Sequence, residues 1–529
     1  MNPNVNSNGN KTGKDKESIH SADIISGLIV SLLALPLSLG IAKASDFPPL
    51  MGLLTAIIGG MVVSFFAGSK LTIKGPAAGL IVIAASAVAD FGGGEKGWHL
   101  ALGTIIVAGV IQILFGLFKL GKLANFFPLS AIHGMLAAIG LIIIAKQIPV
   151  LLNVDPVFTK GKDPLELLAS IPTFLFNMNP KVAIVGILSL IILFVWPNLK
   201  NPLLKKIPAP LVILALTIPA GLFLDFKNTA PSYTLVHIGN FIDSIKINAD
   251  FSGFSQTGVF IKYVIMFALV GTLESLLTVK AIDILDPAKQ KSDTNKDLIA
   301  IGIGNIFGGF LGGLPMISEV ARSSNNLYNG GKTRWANFFH GFFILIFLLI
   351  AVPLLEMIPN TALAAMLITV GFKLAHPMEF VHIFKIGKEQ LAIFLITIFF
   401  TLFEDLLVGI AAGIILKLII HLFNGAKFKN LFKATICVVD EEFGPRLIIE
   451  QCAVFSNWLG LKKILDELPQ KEVVSIDFSK LKLVDHSVLE NLHHFKDDYE
   501  NGGGKVQFEG LEQLNQLSNH PLAARRQKS

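Results

Sequence analysis

The stretch Thr72-Ile-Lys-Gly-Pro-Ala-Ala-Gly79 opens an apolar segment that is too short to be an ordinary membrane helix. The stretch Gly312-Gly-Leu-Pro-Met-Ile-Ser318 opens a second short segment in the other half of the chain. Proline fits the first turn of a helix, because the N–H that it lacks has no helical partner there. We therefore expect helices that begin inside the membrane near Pro76 and Pro315; the alternative is that each proline marks an ordinary loop.

The composition predicts a protein with many membrane spans. The chain has 529 residues, of which 52% are hydrophobic and 16% are charged, and its mean hydropathy is +0.64. Soluble domains carry about 25% charged residues. The formal net charge of +6 is better explained by basic cytoplasmic loops than by nucleic-acid binding. We therefore expect a lipid bilayer around the chain and no nucleic-acid partner.

The apolar segments predict an internal repeat. A membrane helix needs roughly 20 apolar residues. About fourteen segments reach or approach this length, near 22–43, 50–67, 76–90, 99–118, 130–148, 182–196, 208–224, 258–281, 297–310, 316–328, 335–352, 361–375, 389–404 and 405–423. The two interrupted segments are the third of the first seven and the third of the second seven. This placement indicates an inverted repeat of seven plus seven, and paired broken helices are typical of transporter binding sites.

Loop charges predict the orientation of the chain. Basic residues follow the even-numbered segments, as at Lys70, Lys119, Lys332, Arg334 and Lys427. Acidic residues such as Asp46 and Asp90 follow odd-numbered segments, although Lys146, Lys160 and Lys162 depart from this bias. By the positive-inside rule, we expect a multi-pass protein of the plasma (inner) membrane with both termini in the cytoplasm.

Changes in composition divide the chain into three parts. Residues 1–20 are polar and are predicted to be a disordered cytoplasmic leader. Residues 21–425 form the predicted transmembrane domain, and residues 434–525 form a small cytoplasmic α/β domain. In this last part, Val473–Ser479 alternates like a strand, and Ser487–Tyr499 has the apolar spacing of an amphipathic helix.

Two helix N-termini that meet within the membrane would form a cradle for an anion. Each N-terminus offers free N–H groups and a partial positive charge. Arg322, one or two turns into the tenth segment, would add a forked and permanent positive charge. The alternative is an arginine whose side chain snorkels to the cytoplasmic surface.

Glu274 lies in the middle of the apolar eighth segment. A carboxylate there costs about 2.5 kcal/mol or more, so it is usually kept for a function. We expect it to carry a coupling proton, to hold a cation or to balance Arg322; the alternative is a purely structural ion pair. Thr278 lies one turn further on the same helix face. Lys74 and Glu319 either face this site or are ordinary interfacial charges.

No motif in the sequence predicts an enzyme. The chain contains no Gly-x-x-x-x-Gly-Lys-Ser/Thr motif, so ATP-driven pumping is not supported. The run Asp485-His486-Ser487 is similar to a catalytic set only in its residue types, because neighbours on one turn rarely form one. We predict no catalytic residue, no metal ligand and no cofactor.

These stretches together resemble the SulP family of inorganic anion transporters, which includes bacterial bicarbonate transporters, plant sulfate transporters and prestin. The resemblance covers nearly all of residues 20–525. It rests on Leu35-Pro36, Phe47-Pro-Pro49, Gly75-Pro76, Ala321-Arg-Ser323 and Gly330-Gly-Lys-Thr333. The tail resembles a STAS domain through Val474–Ser487 and the helix that follows.

The resemblance implies a core domain and a gate domain, with the anion between the third and tenth spans. It implies transport by an elevator-like motion of the core past the gate, within a homodimer. The implied anion-binding residues are Ile41, Gly75, Pro76, Ala77, Ala78, Ala321, Arg322 and Ser323. The side of this pocket formed by the first span is more apolar here, because Ile41 replaces an aromatic residue of some relatives.

The resemblance also implies roles for the charged residues. The positions of Glu274 and Thr278 help to hold Na+ in sodium-coupled bicarbonate members, and the acid is tied to proton coupling in plant sulfate members. Lys74 stands where the sodium-coupled pattern has threonine, and its ammonium group would repel Na+. In the tail, His486 stands where phosphorylated STAS relatives carry serine or threonine, so we expect dimer packing and regulation instead.

The leading hypothesis is secondary transport of bicarbonate or sulfate, coupled to H+ or a cation through Glu274. One alternative is an uncoupled exchanger or channel for chloride or another anion. Another is an anion sensor that does not transport and signals through the STAS domain.

Overall fold

The computed structural model describes residues 19–121, 127–199, 201, 204, 207–228, 235–239, 241–288, 290–441, 444–469 and 471–527. The predicted leader, residues 1–20, lies outside this description except for its last two residues. Within the described chain, helices dominate up to residue 432, and a mixed α/β unit follows.

The first half of the helical region contains ten helices among the described residues. They are α1 (Ser21–Ala44), α2 (Pro49–Met61), α3 (Ile81–Asp90), α4 (Gly94–Leu117), α5 (Leu129–Leu151), α6 (Pro164–Ala169), α7 (Ile171–Phe176), α8 (Pro180–Val195), α9 (Ala209–Phe223) and α10 (Phe241–Ser244). A short strand, β1 (Ile73–Pro76), precedes α3.

The second half contains another ten described helices. They are α11 (Thr257–Leu285), α12 (Thr294–Leu311), α13 (Val320–Tyr328), α14 (Trp335–Ile350), α15 (Val352–Leu355), α16 (Asn360–Leu374), α17 (Pro377–Ile386), α18 (Lys388–Phe403), α19 (Leu406–Phe423) and α20 (Phe428–Phe432). A second short strand, β2 (Met316–Glu319), precedes α13.

Each of the fourteen predicted apolar segments contains one of these helices. Seven helical stretches among the described residues are long and apolar enough to cross a membrane, and four more are apolar but shorter. The mostly helical membrane fold is therefore confirmed, while the number of spans stays a prediction. Helices α6, α7, α10, α15, α17 and α20 were not predicted; each has ten residues or fewer.

The packing of the helices follows the predicted repeat. Helix α4 packs along α12, and α2 packs along α14. Helices α4 and α12 are the fourth and ninth predicted segments, and their counterparts seven places away are the eleventh and second, α14 and α2. One packed pair is therefore the repeat image of the other. The pairs α1–α14 and α4–α11 are repeat images of each other in the same way. In the pairs α5–α16 and β1–β2, the two partners are each other's counterparts in the two halves. Such symmetry in the packing is what an inverted repeat produces.

The prediction that helices begin at Pro76 and Pro315 is wrong. Pro76 is the last residue of β1, and α3 begins five residues later at Ile81. Pro315 precedes β2, and the following helix α13 begins only at Val320. Proline disfavours the helical conformation of the residue before it, so both Gly–Pro and Leu–Pro steps extend the chain.

Helix α8 shows how the outer surface meets lipid. Its side chains at Ile184, Leu188, Ile191 and Val195 are 51–58% exposed and lie on one stripe of the helix. A continuous apolar face of this kind is stable only against lipid or another protein.

The C-terminal region is an α/β unit built on a seven-stranded sheet of described strands. Its strands are β3 (Thr435–Glu441), β4 (Gly444–Ala453), β5 (Val473–Asp477), β6 (Leu481–Val484), β7 (Lys505–Glu509), β8 (Leu514–Gln516) and β9 (Arg525–Gln527), and its two main helices are α21 (Trp458–Asp466) and α22 (His486–Asn501). The strand order is β7-β5-β4-β6-β9-β8, with β3 paired to β4. Strands β4, β5, β6 and β7 pair in parallel, as expected for a sheet with helical crossovers.

The α/β unit docks on the membrane helices through buried charges. Lys417 of α19 lies 3.3 Å from Asp485 and donates a 3.0 Å hydrogen bond to Ser487. His421, one turn further, lies 3.5 Å from the same carboxylate. Burial would raise the pKa of Asp485, but Lys417, His421 and two backbone N–H groups together hold it below its usual value. Asp485 therefore stays ionised in this contact.

Candidate anion-binding site

The two interrupted segments meet as a short antiparallel ribbon. Ile73 pairs with Glu319, Lys74 with Ser318 and Pro76 with Met316. Beyond the ribbon, the Ala77 N–H donates a 3.2 Å hydrogen bond to the carbonyl of Pro315. All eight ribbon residues are buried. Irregular backbone inside a membrane is tolerated when protein covers it, which is the case here.

Helix α12 holds the second strand of the ribbon in place. The amide of Asn305 accepts a 2.6 Å hydrogen bond from the Met316 N–H and donates one of 3.2 Å to the Met316 carbonyl. Gln112 of α4 accepts a further bond of 2.8 Å from Asn305. Gly312, with φ 99°, ends α12 in the left-handed region and turns the chain into β2.

The two short helices begin beside this ribbon with uncapped N-termini. Neither Leu80, before α3, nor Glu319, before α13, caps its helix with a side-chain hydrogen bond. The first amides of α13, from Val320 to Arg322, therefore lack partners within their own helix. Such N-termini favour negative charge through their N–H groups and the helix dipole.

Arg322 lies in the first turn of α13 and is fully buried. Its Nη2 donates a 3.2 Å hydrogen bond to the hydroxyl of Ser38 on α1. Its Nε and Nη1 have no hydrogen-bond partner among the described residues. The predicted alternative, snorkelling to the surface, is therefore wrong. The guanidinium keeps donors available in a dry environment, where an anion would bind them strongly.

Gly75 allows the guanidinium to approach the ribbon. A side-chain carbon built on Gly75 would meet Nη1 of Arg322 in close overlap. The side chain of Arg322 therefore packs directly on the backbone of β1, at the point where the first half of the chain meets the second.

Glu274 approaches the same loop from the opposite direction. A side-chain carbon built on Gly79 would overlap both oxygens of the Glu274 carboxylate. The Glu274 side chain is buried, and its Oε1 has no hydrogen-bond partner in the described part of the chain. Next to it, Glu319 accepts a 3.3 Å hydrogen bond from the Ala78 N–H. The loop from Gly75 to Gly79 thus contacts a guanidinium at its first residue and two carboxylates at its last two residues.

The remaining predicted site residues differ in burial and in hydrogen bonding. Ile41 and Ala77 are buried near the site, and Ile41 lies one turn after Ser38 on α1. Thr278 is buried one turn after Glu274. Ala321, by contrast, is exposed. The Ser323 hydroxyl is committed to structure, because it donates to the Glu319 carbonyl and accepts from the Ile73 N–H at 2.9 Å.

Lys74 is not brought beside Arg322 or Glu274. Side chains alternate along a strand, so Lys74 points away from the face on which Arg322 meets Gly75. Its ammonium lies 3.0 Å from the carboxylate of Asp297 and also contacts the hydroxyl of Thr72. Both partners of the ion pair are at most 1% exposed.

Two residues of this neighbourhood were missed by the sequence analysis. Asp297 accepts hydrogen bonds from the backbone of residues 68 and 69 and from Ser318, besides its contact with Lys74. An aspartate in the first turn of an apolar segment is a signal that could have found it. Ser38 follows Pro36 in α1, and a hydroxyl beside a proline in a membrane helix is a weaker signal of the same kind.

The fold and this site define a membrane protein in which two interrupted segments meet beside a buried guanidinium, two of whose nitrogens have no hydrogen-bond partner among the described residues. The family model described as the sulfate permease family matches residues 21–397, more than two thirds of the chain. The chain belongs to the sulfate permease family, and it is an integral membrane protein of an anion-transport family rather than an enzyme.

Similar proteins include two bacterial relatives. The chain is 28% identical over 401 residues to YvdB of Bacillus subtilis (strain 168), which is provisionally named as a sulfate transporter; the match covers 75% of this chain and 72% of YvdB. It is 27% identical over 400 residues to the bicarbonate transporter BicA of Picosynechococcus sp., covering 74% of this chain and 68% of BicA.

A solved structure extends the likeness to the C-terminal unit. The murine Slc26a9 anion transporter in its inward-facing state matches with a TM-score of 0.69 at 16% identity, covering 94% of this chain and 86% of that one. At this identity the match concerns the fold alone. The C-terminal sheet fits the predicted STAS domain.

Proposed function

We propose that the protein moves a small inorganic oxyanion, bicarbonate or sulfate, across the plasma membrane by secondary transport. The observation that carries the proposal is Arg322, a fully buried guanidinium with two unpaired donor nitrogens beside two uncapped helix N-termini. Glu319 attracts this guanidinium, but the two nitrogens have no hydrogen-bond partner in the described part of the chain. A buried charge with unused donors is costly unless an anion binds it.

The substrate would lie between α3 and α13, against Ser38 and Ile41 of α1. The backbone from Gly75 to Ala78 and the first turn of α13, including Ala321 and Ser323, would complete the site. The names of relatives support an oxyanion, because BicA is a bicarbonate transporter and YvdB is named for sulfate. Arg322 suits both ions, since a guanidinium fork matches planar and tetrahedral oxyanions.

Glu274 and Glu319 would couple transport to a cation. Their carboxylates lie close enough to repel one another at the backbone of Ala78 and Gly79. A proton or a small cation between them would relieve this repulsion. H+ is favoured over Na+, because two buried carboxylates can share a proton without a preformed cage of oxygens. Thr278, one turn from Glu274, would contribute a hydroxyl.

The inverted pairing of β1 and β2 supports an elevator-like motion. The ribbon ties α3 and α13 to their neighbours as one unit, and a bound anion would travel with that unit. We further propose a homodimer in the plasma membrane with both termini in the cytoplasm, as the loop charges indicate.

Flux into proteoliposomes that contain the purified protein tests the proposal. We expect uptake of labelled bicarbonate or sulfate that saturates, that is accelerated by an inward proton gradient and that persists without Na+. The Glu274→Gln variant should lose the dependence on the pH gradient while it still exchanges anions. Dependence on Na+ alone would contradict proton coupling.

Two results would favour the other candidate functions. Flux of chloride that is indifferent to H+ and Na+ would indicate an uncoupled exchanger or channel. Saturable binding of an oxyanion without any flux would indicate a sensor that signals through the STAS domain.

A further inference from the structure

A cavity of about 750 Å³ lies at the end of the membrane domain opposite to the STAS domain. The ends of α1, α5 and α16 line it, together with the segment 156–162. The first residue of α5, Leu129, donates a hydrogen bond to Ser487 of the STAS domain, whereas the last turns of α5 reach the cavity. The cavity therefore opens on the side that the loop charges assign to the exterior.

Positive charge dominates the lining of this cavity. Four lysines contribute to it, Lys43, Lys146, Lys160 and Lys162, and Asp46 is the one acidic lining residue. Three of these lysines are those that depart from the positive-inside bias of the sequence. Basic residues outside the membrane oppose the usual orientation signal, so an additional reason for their presence is required.

Two of the four cavity lysines have no fixed partner among the described residues. Lys43 of α1 and Lys146 of α5 are half-buried, and neither forms a hydrogen bond or an ion pair within 4.0 Å among the described residues. Lys146 feels Asp46 only at longer range. Lys162 differs, because it donates a 2.7 Å hydrogen bond to Ser170. Two ammonium groups thus remain available to a ligand in the cavity.

Asn153 supplies a neutral donor on the same wall. Its side chain is 5% exposed, lines the cavity, and has an Nδ2 without a hydrogen-bond partner in the described chain. A buried amide donor without a partner costs stability unless a ligand or water satisfies it. The donor inventory of the cavity, two ammonium groups and an amide, suits an oxyanion.

One wall of the cavity is formed by α1, which also contacts Arg322 through Ser38. Gly40 lines the cavity, and a side-chain carbon on it would lie 3.5 Å from both Leu363 and Leu367 of α16. Gly40 and Ala44 both line the cavity and lie on one stripe of α1, because residues four apart share a helix face. Ile41, the residue after Gly40, is a proposed anion-site residue, so the cavity adjoins the proposed site along α1.

We propose that this cavity is an outer anion vestibule, in which Lys43, Lys146 and Asn153 capture a small inorganic oxyanion before it reaches the proposed site beside Ile41. The inference deepens the proposed function and rests on it for the identity of the ligand. The lysines raise the local anion concentration, as a concave and positively charged surface does for any small anion.

The test uses a cysteine as a local probe of charge. Val157 lines the cavity and is 78% exposed, so Val157→Cys in a Cys437→Ser background presents an accessible thiol. The measured quantity is the rate of modification by an anionic methanethiosulfonate divided by the rate with a cationic one. We expect this ratio to be about tenfold higher with both lysines present than in the Lys43→Gln/Lys146→Gln variant. Equal ratios with and without the two lysines would overturn the vestibule, whether or not the protein transports.

Transport kinetics provide a second readout. The double glutamine variant should raise the KM for the anion about tenfold at low ionic strength, leave the maximal rate unchanged and lose most of its salt dependence. Lys43→Arg/Lys146→Arg should keep the low KM. Lys181→Gln, at an exposed lysine of α8 outside the cavity, is the matched control.

These outcomes separate the vestibule from the proposed function. Wild-type flux with an unchanged KM in the double glutamine variant overturns the vestibule alone. Absence of flux in the wild type overturns the proposed function, and the thiol ratio then decides the vestibule independently.

Discussion

Lys74 and Arg322 are both buried cations of the membrane domain, but they differ in their partners. Lys74 lies on β1, and Arg322 lies on α13, the helix that follows β2. Lys74 has Asp297 at 3.0 Å and the hydroxyl of Thr72 beside it. Arg322 is equally buried, but among the described residues its side chain bonds only to Ser38, at 3.2 Å. Lys417, at the STAS contact, follows the pattern of Lys74, with Asp485 at 3.3 Å.

This difference distinguishes a buried cation that stabilises the fold from one that is available to bind an anion. A buried ion pair with its remaining donors satisfied fixes the packing of the elements that carry it. A buried cation with unused donors destabilises the protein by itself and gains stability only when an anion arrives. We therefore propose that Lys74 stabilises the fold and that Arg322 binds the substrate, and the following variants test this proposal.

Removal of Asp297 should have the largest effect. Asp297→Ala leaves Lys74 buried without a counter-charge and removes acceptors from the backbone of residues 68 and 69. Breaking a buried pair in this way costs about 3–5 kcal/mol. We expect a strongly lowered thermal unfolding temperature in detergent.

The double variant Lys74→Met/Asp297→Leu is the control for Asp297→Ala. It removes both charges and should recover much of the lost stability, because apolar replacement of a buried pair is often neutral. Unfolding of Asp297→Ala at the wild-type temperature would show that the pair is not structural.

Arg322→Met should have the opposite profile. It removes a desolvated charge that has one hydrogen bond, so thermal stability without substrate should be unchanged or higher. Hydrogen bonds to a charged group contribute about 1.5–3 kcal/mol, so anion affinity should fall about 10- to 100-fold. Arg322→Lys keeps the charge but not the fork and should bind with intermediate affinity. Loss of stability with retained affinity would place Arg322 with Lys74.

The two glycines of the loop should separate anion binding from coupling. Gly75→Ala would displace the guanidinium of Arg322, and Gly79→Ala would displace the carboxylate of Glu274. Overpacking of this kind costs about 1–3 kcal/mol. We expect Gly75→Ala to raise the KM for the anion, and Gly79→Ala to change the dependence of uptake on the pH gradient.

The control for these glycine variants is Gly308→Ala. A side-chain carbon at Gly308 meets no atom within 4 Å, so uptake should be unchanged. If Gly75→Ala and Gly79→Ala gave identical kinetic changes, the separation of the two roles along the loop would be wrong.

We expect the smallest effect at the STAS contact, where the stabilisation by Asp485 should depend on pH only under acidic conditions. The pKa of Asp485 is lowered in the folded protein, so the contribution of its carboxylate is complete above the unfolded pKa of about 3.9 and is lost only as pH falls through the lower folded value. The difference in unfolding temperature between the wild type and Asp485→Asn should therefore stay constant above about pH 5 and shrink below about pH 4. A difference that disappears near neutral pH would contradict a permanently ionised Asp485.

The sequence predicted the elements that follow from local pattern. The apolar segments, the two interruptions and the position of Glu274 within an apolar segment could be read directly, because lipid makes charge and broken backbone rare. The burial of Arg322 was one of two alternatives, and the structure decides for it. The alternation in Val473–Ser479 predicted β5 (Val473–Asp477) for a similar reason, since a strand with one buried face repeats every two residues.

The sequence did not predict contacts between distant residues. Asp297 is 223 positions from Lys74, and no local pattern links them. The ribbon of β1 and β2 replaces the expected helix starts because two extended X–Pro steps from different halves meet, which one segment alone does not reveal. Ala321 is exposed although its neighbour Arg322 is buried, since successive helical residues face different directions.

Anion binding to purified protein, measured by isothermal titration calorimetry, tests the central claim most directly. The wild type should bind sulfate or bicarbonate saturably, and Arg322→Met should bind it about 10- to 100-fold more weakly at unchanged thermal stability. Equal affinity of the two proteins for the anion would contradict the assignment of the unpaired guanidinium to substrate binding.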